Sequence, residues 1–176
     1  MFFNNRKLVQ LKSIEEIEIM KHGATILAQV HGLVSKMIAP GVTPKDLDQS
    51  AFDFIKKNNA RPSFLNYNGF PNSLCISVNE VVVHGIPNEI PLKAGDIVSV
   101  DCGIFYQGFH TDSAYTYTVG DVDSDKLSLL KITLESLYKG IEKVKVGARM
   151  GDVSFAIQHH VEMHGYSVVR ELVGHG

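Results

Sequence analysis

The sequence predicts a mixed α/β (α+β) chain in which a helix–helix–strands unit begins to repeat. Three observations carry this. Apolar residues recur at helical spacing as far as Ile55 and again from Leu127, with alternating β-branched segments between. Each helix pair is broken by a glycine, Gly41 in the first and Gly147 in the second. Sliding the chain by 106 residues lays Gly41 on Gly147, Asp46 on Asp152, and Leu47, Ala51 and Ile55 on Val153, Ile157 and Val161.

The elements follow in order. Ser13 with Glu16 three residues on reads as a capping box, and Ile14, Ile17, Ala24, Leu27, Ala28, Val34 and Ile38 form the stripe of a first helix closed by Pro40-Gly41. Thr43 caps a second, with Pro44 in the first turn where its missing N–H is not needed, and Leu47, Ala51, Phe54 and Ile55 as its buried face. Between Phe64 and Thr118 the pattern turns to loops and strands, with strand candidates at 75–78, 81–84, 97–106 and 109–119. A third helix is expected from a Ser124 cap to about Lys145, with Leu127, Leu130, Leu134, Leu137, Tyr138, Ile141 and Val144 as its stripe. A fourth spans about 150–164, and Ser167 begins another strand.

The expected organisation is one domain over 1–176, with a first half-repeat at about 13–118 and the start of a second at about 124–176. The second half is expected to be incomplete, since counterparts of Asp101 and Asp112 would fall near 207 and 218, past the last residue.

Of the 176 residues 44% are hydrophobic and 20% charged, which suits a globular chain with a real core. A net charge of −2 argues against a nucleic-acid footprint. No apolar run reaches membrane-spanning length, and Met1 to Arg6 lacks the apolar stretch of a secretory signal. Two cysteines, Cys75 and Cys102, make no disulfide framework, so a reducing cytoplasm is the expected compartment.

Asp101 and Asp112 are the chief chemical signal. Carboxylates are depleted in strands, yet these two flank a short turn at Tyr106-Gln107-Gly108. A two-residue loop at 106 and 107 would set them directly opposite each other on one face. Like charges so close repel unless a cation lies between them. His175 sits between Gly174 and Gly176, where the flanking glycines leave room for a ligand. Two carboxylates and an imidazole suit a borderline divalent ion such as Mn, Fe, Co or Zn. His84, at the end of Val81-Val82-Val83, is either an ordinary strand-end histidine bonded to backbone or one able to contact a reacting carbonyl or its tetrahedral intermediate. His110 shares strand parity with Asp112 and reads as its support. Phe64, Tyr67, Phe70 and Cys75, spaced by Asn, Gly and Pro, either cover a core edge or wall an apolar pocket. His159, His160 and His164 lack the adjacent glutamate of a zincin helix, and His22 and His31 have no paired carboxylates nearby, so all five read as packing or surface residues.

The stretches Tyr67-Asn68-Gly69-Phe70-Pro71, Asn79 through His84-Gly85-Ile86-Pro87, Asp101 through His110-Thr111-Asp112, and Gly174-His175-Gly176 resemble type I methionine aminopeptidases of the short, bacterial form. The likeness runs from about Ser13 to the last residue. It implies a pita-bread fold with two pseudo-symmetric halves, and a hydrolase that removes initiator methionine from new chains when the second residue is small. By position it implies that Asp101, Asp112 (bridging) and His175 are metal ligands. It likewise implies that His84 is the catalytic, substrate-side histidine and that Phe64, Tyr67, Phe70 and Cys75 form the methionine pocket. It also implies two divalent ions per complete site (Co, Mn, Fe or Zn), with further glutamate and histidine ligands downstream of the Gly-His-Gly motif. Activity of the 176 residues alone is therefore not expected. The implied partners are nascent Met-first termini and the ribosome, for a monomeric enzyme. The competing classes are a related peptidase acting on X-Pro bonds and a non-catalytic binding module on the same scaffold.

Overall fold

The computed structural model describes residues 10–175, so the reading of Met1 to Arg6 and the Gly176 end of the last motif lie outside the described residues. The chain forms two compact units, one up to Asp121 and one from Val122.

The first unit is a sheet with two helices on one face. Helix α1 (Ile14–Met37) starts at Ser13, whose hydroxyl accepts from the Glu16 N–H while the Glu16 carboxylate accepts from the Ser13 N–H. Helix α2 (Pro44–Lys57) repeats the device with Thr43 and Asp46. The strands are β1 (Arg61–Pro62), β2 (Leu74–Val78), β3 (Ile97–Tyr106) and β4 (Phe109–Thr118). All pairings are antiparallel: β4 runs along one edge of β3, while β2 and the short β1 share its other edge. Alternation along β3 buries Val98, Val100, Cys102 and Ile104 completely, against Val30 and Val34 of α1 and Leu47, Ala51 and Ile55 of α2. The opposite face of β3 carries Ser99, Asp101, Gly103 and Phe105.

Helix α1 is rotated from its expected phase. Its buried face is Gly23, Ile26, Leu27, Val30 and Val34, while Ile14, Ile17, Ala24 and Ala28 of the predicted stripe are exposed. The helix rests on β3 and β4, and Gly23 is the point of close approach: a Cβ there would lie 3.4 Å from Thr111 Oγ1 and 3.6 Å from Tyr106 Cβ.

The strand expected at 81–84 does not form. Asn79 ends β2 in a left-handed conformation (φ 52°). Its side-chain Nδ2 donates to Asp96 Oδ1 at 2.8 Å and its side-chain Oδ1 accepts from the Ile97 N–H at 3.1 Å. The chain then leaves the sheet with Val81, Val82 and Val83 exposed.

In the second unit α3 (Ser124–Ile141) packs on α4 (Met150–Met163). Asp123 rather than Ser124 is the N-cap, and α3 stops four residues short of the expected Lys145. The packed face of α3 is Ile132, Ser136 and Gly140, because small residues let α4 come close: a Cβ on Gly140 would lie 2.8 Å from Ile157 Cδ1. The predicted stripe of Leu127, Leu134, Leu137, Tyr138 and Ile141 is exposed instead. Residues 167–173 form no strand. The repeat shows in its punctuation. Gly41 (φ 93°) and Gly147 (φ 88°) are both left-handed, and Asp46 and Asp152 each accept the N-cap N–H three residues earlier, at 3.0 and 2.8 Å.

Candidate functional site

The hairpin register decides how the two aspartates meet. Gln107 and Gly108 form the two-residue loop between Tyr106 and Phe109, both with positive φ (45° and 94°). The loop is therefore 107–108, not 106–107, and Asp101 pairs with Ala114 while Asp112 pairs with Gly103. Asp101 and Asp112 are diagonal rather than directly opposed, yet they share a face because 101 and 103 have the same parity. Diagonal neighbours lie within reach of each other's side chains.

Their electrostatics follow from that placement. Asp101 is half-buried and its carboxyl is pushed up to about 7, first by burial, then by the negative charge of Asp112 and by a hydrogen bond from its protonated form to Asp112. Asp112 is exposed. A pair that resists double ionisation is a pair whose charge a cation would neutralise, so the donor set fits a hard or borderline divalent ion. Among the described residues no group of three or more His, Cys, Asp or Glu side chains is arranged to hold an ion. The first unit thus offers two carboxylates on one sheet face.

The flanking residues come from the sheet itself. Cys75 on β2 pairs with Asp101 and is buried. Its thiol is pushed up to about 12 by burial, then by the charges of Asp101, Asp112 and Asp48, so it stays neutral and apolar rather than becoming a thiolate. Gly103, opposite Asp112, has no room for a side chain: a Cβ there would lie 2.7 Å from Phe64 Cε1 and 2.8 Å from Ser63 Cβ. The Phe64 ring therefore lies over the strand beside the aspartates. Tyr67 and Phe70 bracket a single 3-10 turn, Tyr67–Gly69, in which Asn68 is left-handed (φ 49°). Tyr67 is exposed and Phe70 half-buried.

His84 is exposed and held at φ 58° in the loop that follows β2. His175 belongs to the second unit, exposed, in irregular backbone after Leu172. His110 does not support Asp112. Its Nδ1 shares a 2.8 Å hydrogen bond with Ser63 Oγ, and its ring lies 4.7 Å from that of Phe105. His31 has more to do than its sequence context suggested, with Nδ1 bonded to Tyr117 Oη and Nε2 to the Ser113 carbonyl, both at 3.1 Å. It ties α1 to β4 next to Asp112.

One residue that sequence reasoning passed over anchors the start of β2. Asp48, buried on α2, accepts from the Ser73 N–H at 2.9 Å, the Leu74 N–H at 2.8 Å and the Asn72 amide at 2.8 Å. These bonds fix the strand entry immediately before Cys75. A carboxylate one position after Leu47 on a helix with a clear apolar face was the available signal.

A model of metallopeptidase family M24 matches residues 18–176. A methionine aminopeptidase of Bacillus subtilis is 50% identical over 169 residues, covering 96% of this chain and 68% of that relative. The crystal structure of methionine aminopeptidase from Rickettsia prowazekii superposes with a TM-score of 0.94 at 40% identity, covering 96% of this chain and 68% of that one. An Xaa-Pro dipeptidase from Bacillus anthracis shares the fold alone, with a TM-score of 0.80 at 24% identity over 94% of this chain and 44% of that one. On these matches the chain belongs to metallopeptidase family M24.

Proposed function

We propose that this protein is a metal-dependent aminopeptidase that removes the N-terminal methionine from new polypeptides whose second residue is small. The observation that carries the reading is the Asp101–Asp112 pair on one sheet face, with Cys75 beside it and Phe64 over Gly103. The 50% identity to a methionine aminopeptidase supports it.

Asp101 and Asp112 would hold the divalent metal, and His175 is proposed as a further ligand by its motif. Co, Mn, Fe or Zn all suit such oxygen and imidazole donors. When bound, the metal supplies a Lewis acid for the scissile carbonyl and a water acidic enough to attack at neutral pH. The protein's own residues do the rest. Phe64, Tyr67, Phe70 and Cys75 accept an unbranched thioether side chain, for which aromatic faces and a neutral thiol are good neighbours. His84 donates to the carbonyl oxygen as negative charge develops there, a contact whose loss typically lowers turnover by about 10²–10³. The substrates are nascent chain termini, met at the ribosome in the cytoplasm by a monomeric enzyme.

The test is methionine release by the metal-loaded, full-length protein. Release from Met-Ala-Ser and not from Ala-Pro peptides is expected, with loss on chelation and in Asp112→Asn. Cleavage of Ala-Pro substrates in preference would assign the site to X-Pro bonds.

A further inference from the structure

Beside the site, a short segment is laced to the outer edge of β2 in a way that this function does not by itself require. The Ile76 N–H donates to the Gly85 carbonyl at 2.8 Å, and the Gly85 N–H donates to Ser77 Oγ at 3.1 Å. Both peptide units around Gly85 are thus gripped by two consecutive residues of one strand. The grip needs glycine, since a Cβ at position 85 would run into the Ile76 carbonyl. His84 is the residue immediately before it, held at φ 58°, a conformation that a side chain adopts only when its surroundings impose it. The imidazole is exposed, so its aim depends on its backbone.

Ser77 is the one side chain in this grip. It is 4% exposed although it is polar, and by strand alternation it lies on the same face of β2 as Cys75. Its hydroxyl accepts from the Gly85 N–H.

We infer that Ser77 is a positioning residue for His84: by accepting from the Gly85 N–H it fixes the left-handed turn that aims the imidazole at the reacting carbonyl. The inference rests on the methionine-release reading. A hydrogen bond to backbone is worth about tenfold in an equilibrium or a rate when its partner is left unpaired. Its loss here frees the turn rather than unfolding the strand, because the ladder between β2 and β3 is untouched.

The experiment is a double-mutant cycle on methionine release from Met-Ala-Ser by the metal-loaded, full-length protein. Ser77→Ala is expected to lower kcat about tenfold with KM changed by less than about twofold. Ser77→Cys keeps the volume but weakens the acceptor, and is expected to lower kcat in the same direction should the alanine variant fold poorly. Ser77→Thr, which restores the hydroxyl, is expected to recover most of the turnover. In a His84→Ala background, Ser77→Ala is expected to change kcat by less than about twofold, because the group it aims is gone. An equal loss in both backgrounds, or wild-type kcat in both Ser77→Ala and Ser77→Cys, overturns the role of Ser77 and leaves the functional reading standing. Absence of methionine release from the unmutated protein overturns that reading, and this inference with it.

Discussion

Gly103 shows how one missing side chain shapes the site. It faces Asp112 across the hairpin, and the space its Cβ would take is filled by the Phe64 ring and Ser63. Gly103→Ala should therefore push Phe64 away from the strand. We expect it to raise KM for Met-first peptides several-fold more than it lowers kcat, and to reduce stability by about 1–3 kcal/mol. Steady-state kinetics and thermal unfolding check both; an unchanged KM would mean that Phe64 does not wall the pocket. At this scale much was legible. That Asp101 and Asp112 share one sheet face was implied by their spacing around the turn, although they lie diagonally rather than opposed. The hairpin register could not, because it turns on Gln107 adopting a positive φ, which side-chain identity rarely dictates outside Gly, Asn and Asp. The roles of His110 and Asp48 were hidden for a related reason: each is defined by a partner far along the chain, Ser63 and Ser73–Leu74.

The first two helices were readable at their starts, and α1 less so around its circumference. The Ser13–Glu16 box and the Thr43 cap are local devices and form as the sequence implies, and Asp46 completes a second box that was not expected. The faces of α1 and α3 turn instead on Gly23, Ser136 and Gly140, residues that carry no hydrophobic signal but allow the closest approach. The Val81-Val82-Val83 run has strong strand propensity and forms none, since Asn79 and Gly85 are committed to other bonds on either side of it. The contact between α3 and α4 makes a prediction of its own. Gly140→Leu places a side chain where Ile157 already lies, so it should destabilise the helix pair by about 1–3 kcal/mol despite its better helix propensity. Chemical denaturation followed by circular dichroism measures this, and a gain in stability would show that the pair is loosely packed.

For the whole molecule, the notable quantity is apolar surface in the second unit. Leu137, Tyr138 and Ile141 on α3 are each more than half exposed, as are Met150, Phe155 and Met163 on α4. Patches of this kind normally bind something. Expressed as residues 1–176, the chain should bind an environment-sensitive apolar dye and lose solubility at concentrations where ordinary domains stay clear. Alanine or glutamine at Leu134, Leu137 and Ile141 together should reduce dye binding without weakening unfolding cooperativity. A chain that binds no dye would mean that this face is covered in solution.

The two-residue loop at Gln107-Gly108 also sets an order of events in time. Strands β3 and β4 are neighbours in sequence, and a hairpin of this kind closes in about 1–10 μs. The packing of α1 on β4, in contrast, joins segments as far apart as His31 and Tyr117 and must wait for a much larger loop to close. Asp101 and Asp112 are therefore expected to reach one sheet face early, before the helices dock. Substitutions in the hairpin such as Thr116→Ala should slow refolding, whereas Val30→Ala should mainly speed unfolding. Stopped-flow measurements on both variants would read this order directly, and the reverse pattern would place the helices first.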